Sequence, residues 1–272
     1  MNMKKKSAAV MWVGSENPFI DRFNVLSVQH IVLGRFGGTA AAGQTKNEDG
    51  CLIWVNGEEE WEFVMVLDAH HSAKSAELVI QYMEQNKEIL TSLLSGKVSV
   101  ELFKGVETAL LKLLQAESFL AACRDTKGET ALLIAVRKGK YLYWFSVGDC
   151  LLYVFHPELA AFGQYQINQR QFYEWIGQVN TFEQLVPCFS SGVRELRQGE
   201  NQLLLTTDGL VECPGAVFSE PDSIWQQCKD IATTDSVSAL LATIQKNHVR
   251  DSTTVVSWNV NVGEPVSYAS NQ

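Results

Sequence analysis

WEFVMVLDAHH, residues 61–71, is the stretch on which the fold is read. An apolar run leads to an acid, Asp68, and two histidines follow it. GCLIWVN (50–56) lies just upstream, separated by Gly57 and three glutamates, so the two runs read as a β-hairpin. Downstream, Val79, Met83, Asn86, Leu90, Leu93 and Leu94 fall in or near helical spacing and predict one long helix that Gly96 stops. Leu102, Val106, Leu110, Leu113 and Leu114, with Leu120 beyond, predict a second. ETALLIAVRKG (129–139) and KYLYWFSVGD (140–149) flank a Lys-Gly turn, and CLLYVFHP (150–157) follows directly. Residues 158–190 lose periodicity, are rich in Gln and aromatics, and read as a flap-like, partly helical segment. Strand signals resume at GVRELRQ and QLLLTTDG. Helices are expected near SIWQQCKDIA and SVSALLATIQKN, and STTVVSWNV (252–260) closes as a strand. The first 28 or so residues read as irregular. Hairpin-linked strands imply mostly antiparallel sheets, and helices adjacent in sequence imply layers over the sheet faces. The expectation is an α+β fold of two packed sheets with outer helical layers.

Composition narrows the function classes. The 272 residues carry 22 Lys and Arg against 31 Asp and Glu, a net charge of −9. That acidity argues against a general nucleic-acid binder, which needs a basic face to displace counterions. Hydrophobic residues at 46% and charged residues at 19% argue against disorder. No apolar run approaches the ~20 residues of a spanning helix. The start, MNMKKKSAAVMWVGSENPF, has too short an apolar stretch for a signal-peptide core and reads as a mature cytosolic start. Cysteines 51, 123, 150, 188, 213 and 228 form no CxxC pair, and read as free thiols rather than a disulfide framework or zinc site. With few prolines and no linker, residues 1–272 read as one domain.

The informative pattern is where the aspartates fall. Asp49 precedes a strand, Asp68, Asp149 and Asp208 end apolar strands, and Asp251 begins the last one. Each alone reads first as a turn residue. Five at strand ends form a cluster if the ends converge. Two carboxylates 4 Å apart repel by about 4 kcal/mol at an effective dielectric near 20, so such a cluster needs cations. Oxygen-only donors select hard ions such as Mg²⁺ or Mn²⁺.

KNEDG (46–50), VLDAHH (66–71), GETALLIAV (128–136), FSVGDC (145–150), LLLTTDGLVE (203–212) and DSTTVV (251–256) occur in this order. Together they resemble the metal-dependent protein phosphatases of type 2C, from about residue 44 to 258. The resemblance implies a central antiparallel β-sandwich flanked by helical layers (four layers, α-β-β-α), with a binuclear Mg²⁺ or Mn²⁺ centre at one edge. It implies that Asp68 bridges both ions and that Asp208 and Asp251 complete one ion's protein ligands. Glu48 and the Ala69 carbonyl would serve the other ion. Asp49 would hold metal-bound water, and Asp149 would take a third, weaker ion. The resemblance further implies that two ions would activate a water for in-line attack on phosphorus and that His70 would protonate the leaving serine or threonine oxygen, its reference pKa of ~6.5 lying near working pH.

The sequence departs from the family at several points. The family's phosphate-clamping Arg, four residues before Glu48, is Gln44 here, with Lys46 and Arg35 as nearby substitutes. DGHGG reads DAHHS, so Ala69 is strained if that position needs φ > 0. GDSR reads Gly148, Asp149, Cys150, Leu151, and DN reads Asp251-Ser252. His71 reads as structural or as a neighbour of metal-bound water, and Trp175, in the flap-like stretch, as a substrate contact. The resulting expectation is a cytoplasmic hydrolase of phosphoserine and phosphothreonine in proteins, opposing a Ser/Thr kinase, with no nucleic-acid or membrane partner. Two alternatives stay open: a pseudophosphatase with little turnover, and a metal-dependent hydrolase of small phosphate esters.

Overall fold

A computed structural model describes residues 7–266. The chain opens with β1 (Ser7–Val13), β2 (Phe23–Val28), β3 (Ile31–Phe36), β4 (Gly50–Asn56) and β5 (Trp61–His70). Four helices follow: α1 (Lys74–Gln85), α2 (Lys87–Leu94), α3 (Val100–Leu114) and α4 (Glu117–Asp125). Then come β6 (Glu129–Lys138), β7 (Tyr141–Val147), β8 (Leu151–Phe155), α5 (Pro157–Ala160), β9 (Ile176–Gly177), β10 (Ser190–Glu195) and β11 (Gly199–Thr206). Helices α6 (Pro221–Cys228) and α7 (Thr233–Lys246) precede the last strand, β12 (Thr253–Val262).

The strands form two antiparallel sheets. One runs β1-β4-β5-β6-β7-β10, with β9 on β6, and the other runs β2-β3-β12-β11-β8. Side-chain alternation along the central strands divides the apolar residues between two cores. Phe63, Met65 and Leu67 of β5, with Leu132, Ile134 and Val136 of β6, pack under α1–α4. The intervening Val64, Val66, Ala131, Leu133 and Ala135 face the second sheet, where they meet Leu203, Leu205, Val256 and Trp258. On that sheet's far side, Leu204 and Val255 pack with Val237, Leu240, Leu241 and Ile244 of α7. Both faces of each sheet are therefore covered, giving the expected α-β-β-α layering.

The hairpin has the expected ends, Gly50 pairing Leu67 and Asn56 pairing Trp61. Three expectations are corrected. The long helix breaks at Asn86, whose side-chain Nδ2 donates to the Tyr82 carbonyl at 2.9 Å and ends α1. Leu120 belongs to a separate helix, α4, because the second helix stops at Leu114. The amino-terminal stretch is not irregular: β1 pairs β4 from Ser7↔Asn56 to Val13↔Gly50, and β2 pairs β3. Residues 1–6 lie outside the described residues. The flap-like stretch 158–190 does contain little regular structure beyond the end of α5, β9 and a 3₁₀ turn at 181–183. All six cysteines are free, and five are buried. No helix among the described residues is long and apolar enough to cross a membrane.

Candidate metal centre

The acids converge where the two sheets meet at one edge. Asp68 lies on β5 opposite Ala131, two residues before the strand ends rather than at its tip. Alternation places it on the same face as Val64 and Val66, toward the second sheet. Asp149 follows β7 through Gly148, which has φ +89 and whose added Cβ would lie 2.5 Å from that of Ala131. Only glycine fits there, and the tight turn carries Asp149 beside β6. Asp208 follows β11 and opens a short 3₁₀ turn. One carboxylate oxygen from each of Asp68, Asp149 and Asp208 lies within 4.8 Å of the others, and all three residues are buried. Asp68 Oδ2, Asp149 Oδ1 and Asp208 Oδ1 are buried without a hydrogen-bond partner, as is Glu48 Oε1. Three buried carboxylates that meet and each keep an unpartnered oxygen offer the donor set a hard divalent cation takes. The residues present therefore fit such an ion.

The electrostatics agree. Burial first, then repulsion from Asp149 and Asp251, pushes the Asp208 carboxyl up to about 7. Burial is also the leading cause that raises Asp49, Asp68, Asp149 and Asp251, with the neighbouring acids adding to it for Asp49 and Asp68. A cation in the cluster reverses that logic by favouring the charged forms.

The other expected site residues separate into groups. Asp49 joins the sheets: its Oδ2 accepts from Thr254 Oγ1 at 2.7 Å and from Thr207 Oγ1 at 3.1 Å. Thr207 Oγ1 also accepts from the Thr254 N–H at 2.9 Å. Asp251 Oδ1 accepts from the Ser252 N–H at 2.8 Å, and its charge raises Asp208 and Asp68. Glu48 and Asp251 are not among the three acids that meet within 4.8 Å. Glu48 Oε2 is paired with Lys46 at 2.7 Å, and Lys46 also donates to the His71 carbonyl at 3.1 Å. Gln44 turns back on its own loop, its Oε1 accepting from Thr45 N–H at 3.3 Å. Arg35 donates to Asn24 and stacks on Trp12 and Phe19, at 5.3 and 4.7 Å.

Ala69 carries no left-handed strain. It is a regular β5 residue pairing Thr130, and the positive φ falls on His71, at +72. His70 Nδ1 stands 3.8 Å from Asp68 Oδ1, and its ring meets Trp175 edge-on at 5.0 Å.

Two further participants join the acids, and one of them escapes a sequence reading. Arg170, from the flap-like stretch, places Nη2 at 3.0 Å from Asp208 Oδ2, 2.7 Å from Glu212 Oε1 and 3.7 Å from Asp149 Oδ2. Glu212 ends the LLLTTDGLVE motif, so its place is readable once Asp208 is found. Arg170 has no such signal, because its partners lie far from it in the chain.

No protein-family model and no curated protein matches this chain. Solved structures do. A bacterial serine phosphatase carrying a point mutation is 16% identical, with a TM-score of 0.61 over 88% of this chain and 97% of that one. The chain has the fold of the bacterial serine/threonine phosphatases. PppA of Pseudomonas aeruginosa is 14% identical, with a TM-score of 0.60 over 87% of this chain and 100% of that one. The catalytic domain of the serine/threonine protein phosphatase PstP, in complex with two manganese ions, is 15% identical, with a TM-score of 0.56 over 94% and 100%. These are the neighbours expected from the type 2C resemblance.

Proposed function

We propose that this chain is a metal-dependent protein phosphatase that hydrolyses phosphoserine and phosphothreonine esters. The observation that carries the reading is the meeting of Asp68, Asp149 and Asp208 at the sandwich edge with buried, unpartnered oxygens. Mg²⁺ or Mn²⁺ suits these hard oxygen donors, and the neighbour with two manganese ions supports two ions here. Asp68, Asp208 and Asp251 would hold one ion, and Asp68, Glu48 and the Ala69 carbonyl the other. Asp149 would take a third. Bound divalent ions lower the pKa of coordinated water and neutralise phosphoryl charge.

The chain's own residues supply the rest. Asp49, gripped by two threonine hydroxyls, fixes the β4 end against the second sheet and would orient water at the site. His70 is half exposed, with Nδ1 3.8 Å from Asp68 Oδ1, so its imidazole would be open to an incoming ester beside the acids. It would hand its proton to the departing serine or threonine oxygen. Trp175 holds that ring from the flap side and would contact the substrate. The reading extends to a cytoplasmic catalytic domain spanning the chain, opposing a Ser/Thr kinase and using neither nucleic acid nor membrane.

Phosphate release from a phosphoserine peptide and from a small aryl phosphate, each with and without Mn²⁺, tests it. Mn²⁺-dependent release from the peptide supports the proposal. Turnover of the aryl ester alone points to a small-ester hydrolase. A second reading, a pseudophosphatase, is favoured by Gln44, which carries no charge and bonds its own loop. Phosphopeptide binding without release in that assay would establish it.

A further inference from the structure

A dianionic phosphate beside buried acids needs cationic hydrogen-bond donors, and the loop before β4 brings only the single ammonium of Lys46, not a planar guanidinium fork. Gln44 is neutral, Lys46 is held by Glu48 and the His71 carbonyl, and Arg35 is committed to Asn24 and two rings. The flap-like stretch does bring one. Resting on the phosphatase reading, we infer that Arg170 is the ligand for the substrate phosphoryl group.

Its position is built in. The chain is pinned on both sides of it. Asn168, buried, accepts from Leu152 N–H at 2.8 Å and donates to the Cys150 carbonyl at 2.8 Å and to Ser146 Oγ at 3.1 Å. Gln171 N–H donates to the Gly148 carbonyl at 2.9 Å, one residue before Asp149. Between these anchors the guanidinium lies over the Phe172 ring at 4.8 Å, and Nη2 points at Asp208, Glu212 and Asp149. It contacts Asp208 Oδ2 and Asp149 Oδ2. The orphaned oxygens, Asp208 Oδ1 and Asp149 Oδ1, are left for an ion. An ion held by those oxygens would leave Arg170 its contacts to the other oxygen of each carboxylate. Once ions neutralise those carboxylates, Arg170 keeps Glu212 as its anchor and turns its charge to the phosphoryl oxygens. A planar guanidinium grips phosphate through charge-assisted, bidentate hydrogen bonds that Gln44 cannot form.

Calorimetric titration of the Mn²⁺-loaded protein with inorganic phosphate tests this, together with Mn²⁺ affinity and KM on an aryl phosphate. Arg170→Gln should weaken phosphate binding and raise KM by about 10- to 100-fold, with Mn²⁺ affinity not weakened. Arg170→Lys, which keeps the charge and loses the fork, should fall between. Arg250 precedes Asp251 in the chain and acts on it through space. Arg250→Gln should therefore change phosphate binding little, reporting mere loss of charge. Unchanged phosphate affinity in Arg170→Gln overturns the inference while leaving the phosphatase reading intact. Weakened Mn²⁺ affinity also overturns it, because Arg170 would then position the acids instead. If the unaltered protein binds neither phosphate nor Mn²⁺, both readings fall.

Discussion

His70 sits between a carboxylate and an aromatic edge, and that pair of neighbours decides what its loss should do. An alkyl phosphate needs its leaving oxygen protonated, whereas an activated aryl phosphate does not. His70→Ala should slow turnover of a phosphoserine peptide by ~10²–10⁴-fold and of an aryl ester far less. Equal losses on both would assign His70 to holding water. Gly148 is the residue whose replacement should hurt stability most plainly. Its φ of +89 and its 2.5 Å approach to the Ala131 Cβ leave no room for a side chain. Gly148→Ala should cost about 1–2 kcal/mol for the left-handed backbone alone, with the clash adding to it, as read by urea unfolding. The acids were legible as residues because Asp68, Asp149 and Asp208 close apolar runs and Asp49 and Asp251 stand just before them. Arg170 was not, because its partners Asp149, Asp208 and Glu212 come from other elements and no local spacing joins them.

At the scale of elements, Asp49, Thr207 and Thr254 join the end of β4 to the ends of β11 and β12 across the two sheets. Thr254→Val keeps the shape and the backbone N–H but removes one donor to a buried carboxyl. It should destabilise the chain by about 1–3 kcal/mol, the range for stranding a buried polar group. An unchanged unfolding midpoint would show that Asp49 does not depend on that hydroxyl. The central strands and the main helices were readable because both sheet faces are buried and the runs are continuously apolar. The edges were not. In β1, exposed and half-exposed positions alternate from Ser7 to Met11, yet Ala9 and Met11 occupy exposed ones, so the period of two is hidden. In β3, Gly34 and Arg35 break the run. Gly34 is there because a Cβ would lie 2.5 Å from Val237 and 2.7 Å from Leu241 of α7. The break at Asn86 follows from a side-chain bond to Tyr82 that periodicity does not register.

For the whole molecule, the cluster sets how stability responds to pH and to metal. Asp208 titrates near 7 in the folded chain, whereas an unfolded aspartate titrates near ~3.9. Between those values the folded chain holds a proton that the unfolded chain has released. The stabilisation from that group is complete below pH ~4 and is lost as pH rises to about 7. In chelator, the unfolding midpoint should therefore fall as pH rises across this window, and a flat profile would contradict the burial argument. Divalent ions bind the deprotonated acids, so added Mn²⁺ should raise the midpoint most at the upper end. The central claim, that these acids are a metal site, is tested most directly by calorimetric titration of Mn²⁺ into the metal-free protein at pH 7.5, beside Asp68→Asn. The account predicts saturable binding that weakens at least tenfold when Asp68 loses its charge. No binding, or equal binding by both proteins, would contradict it.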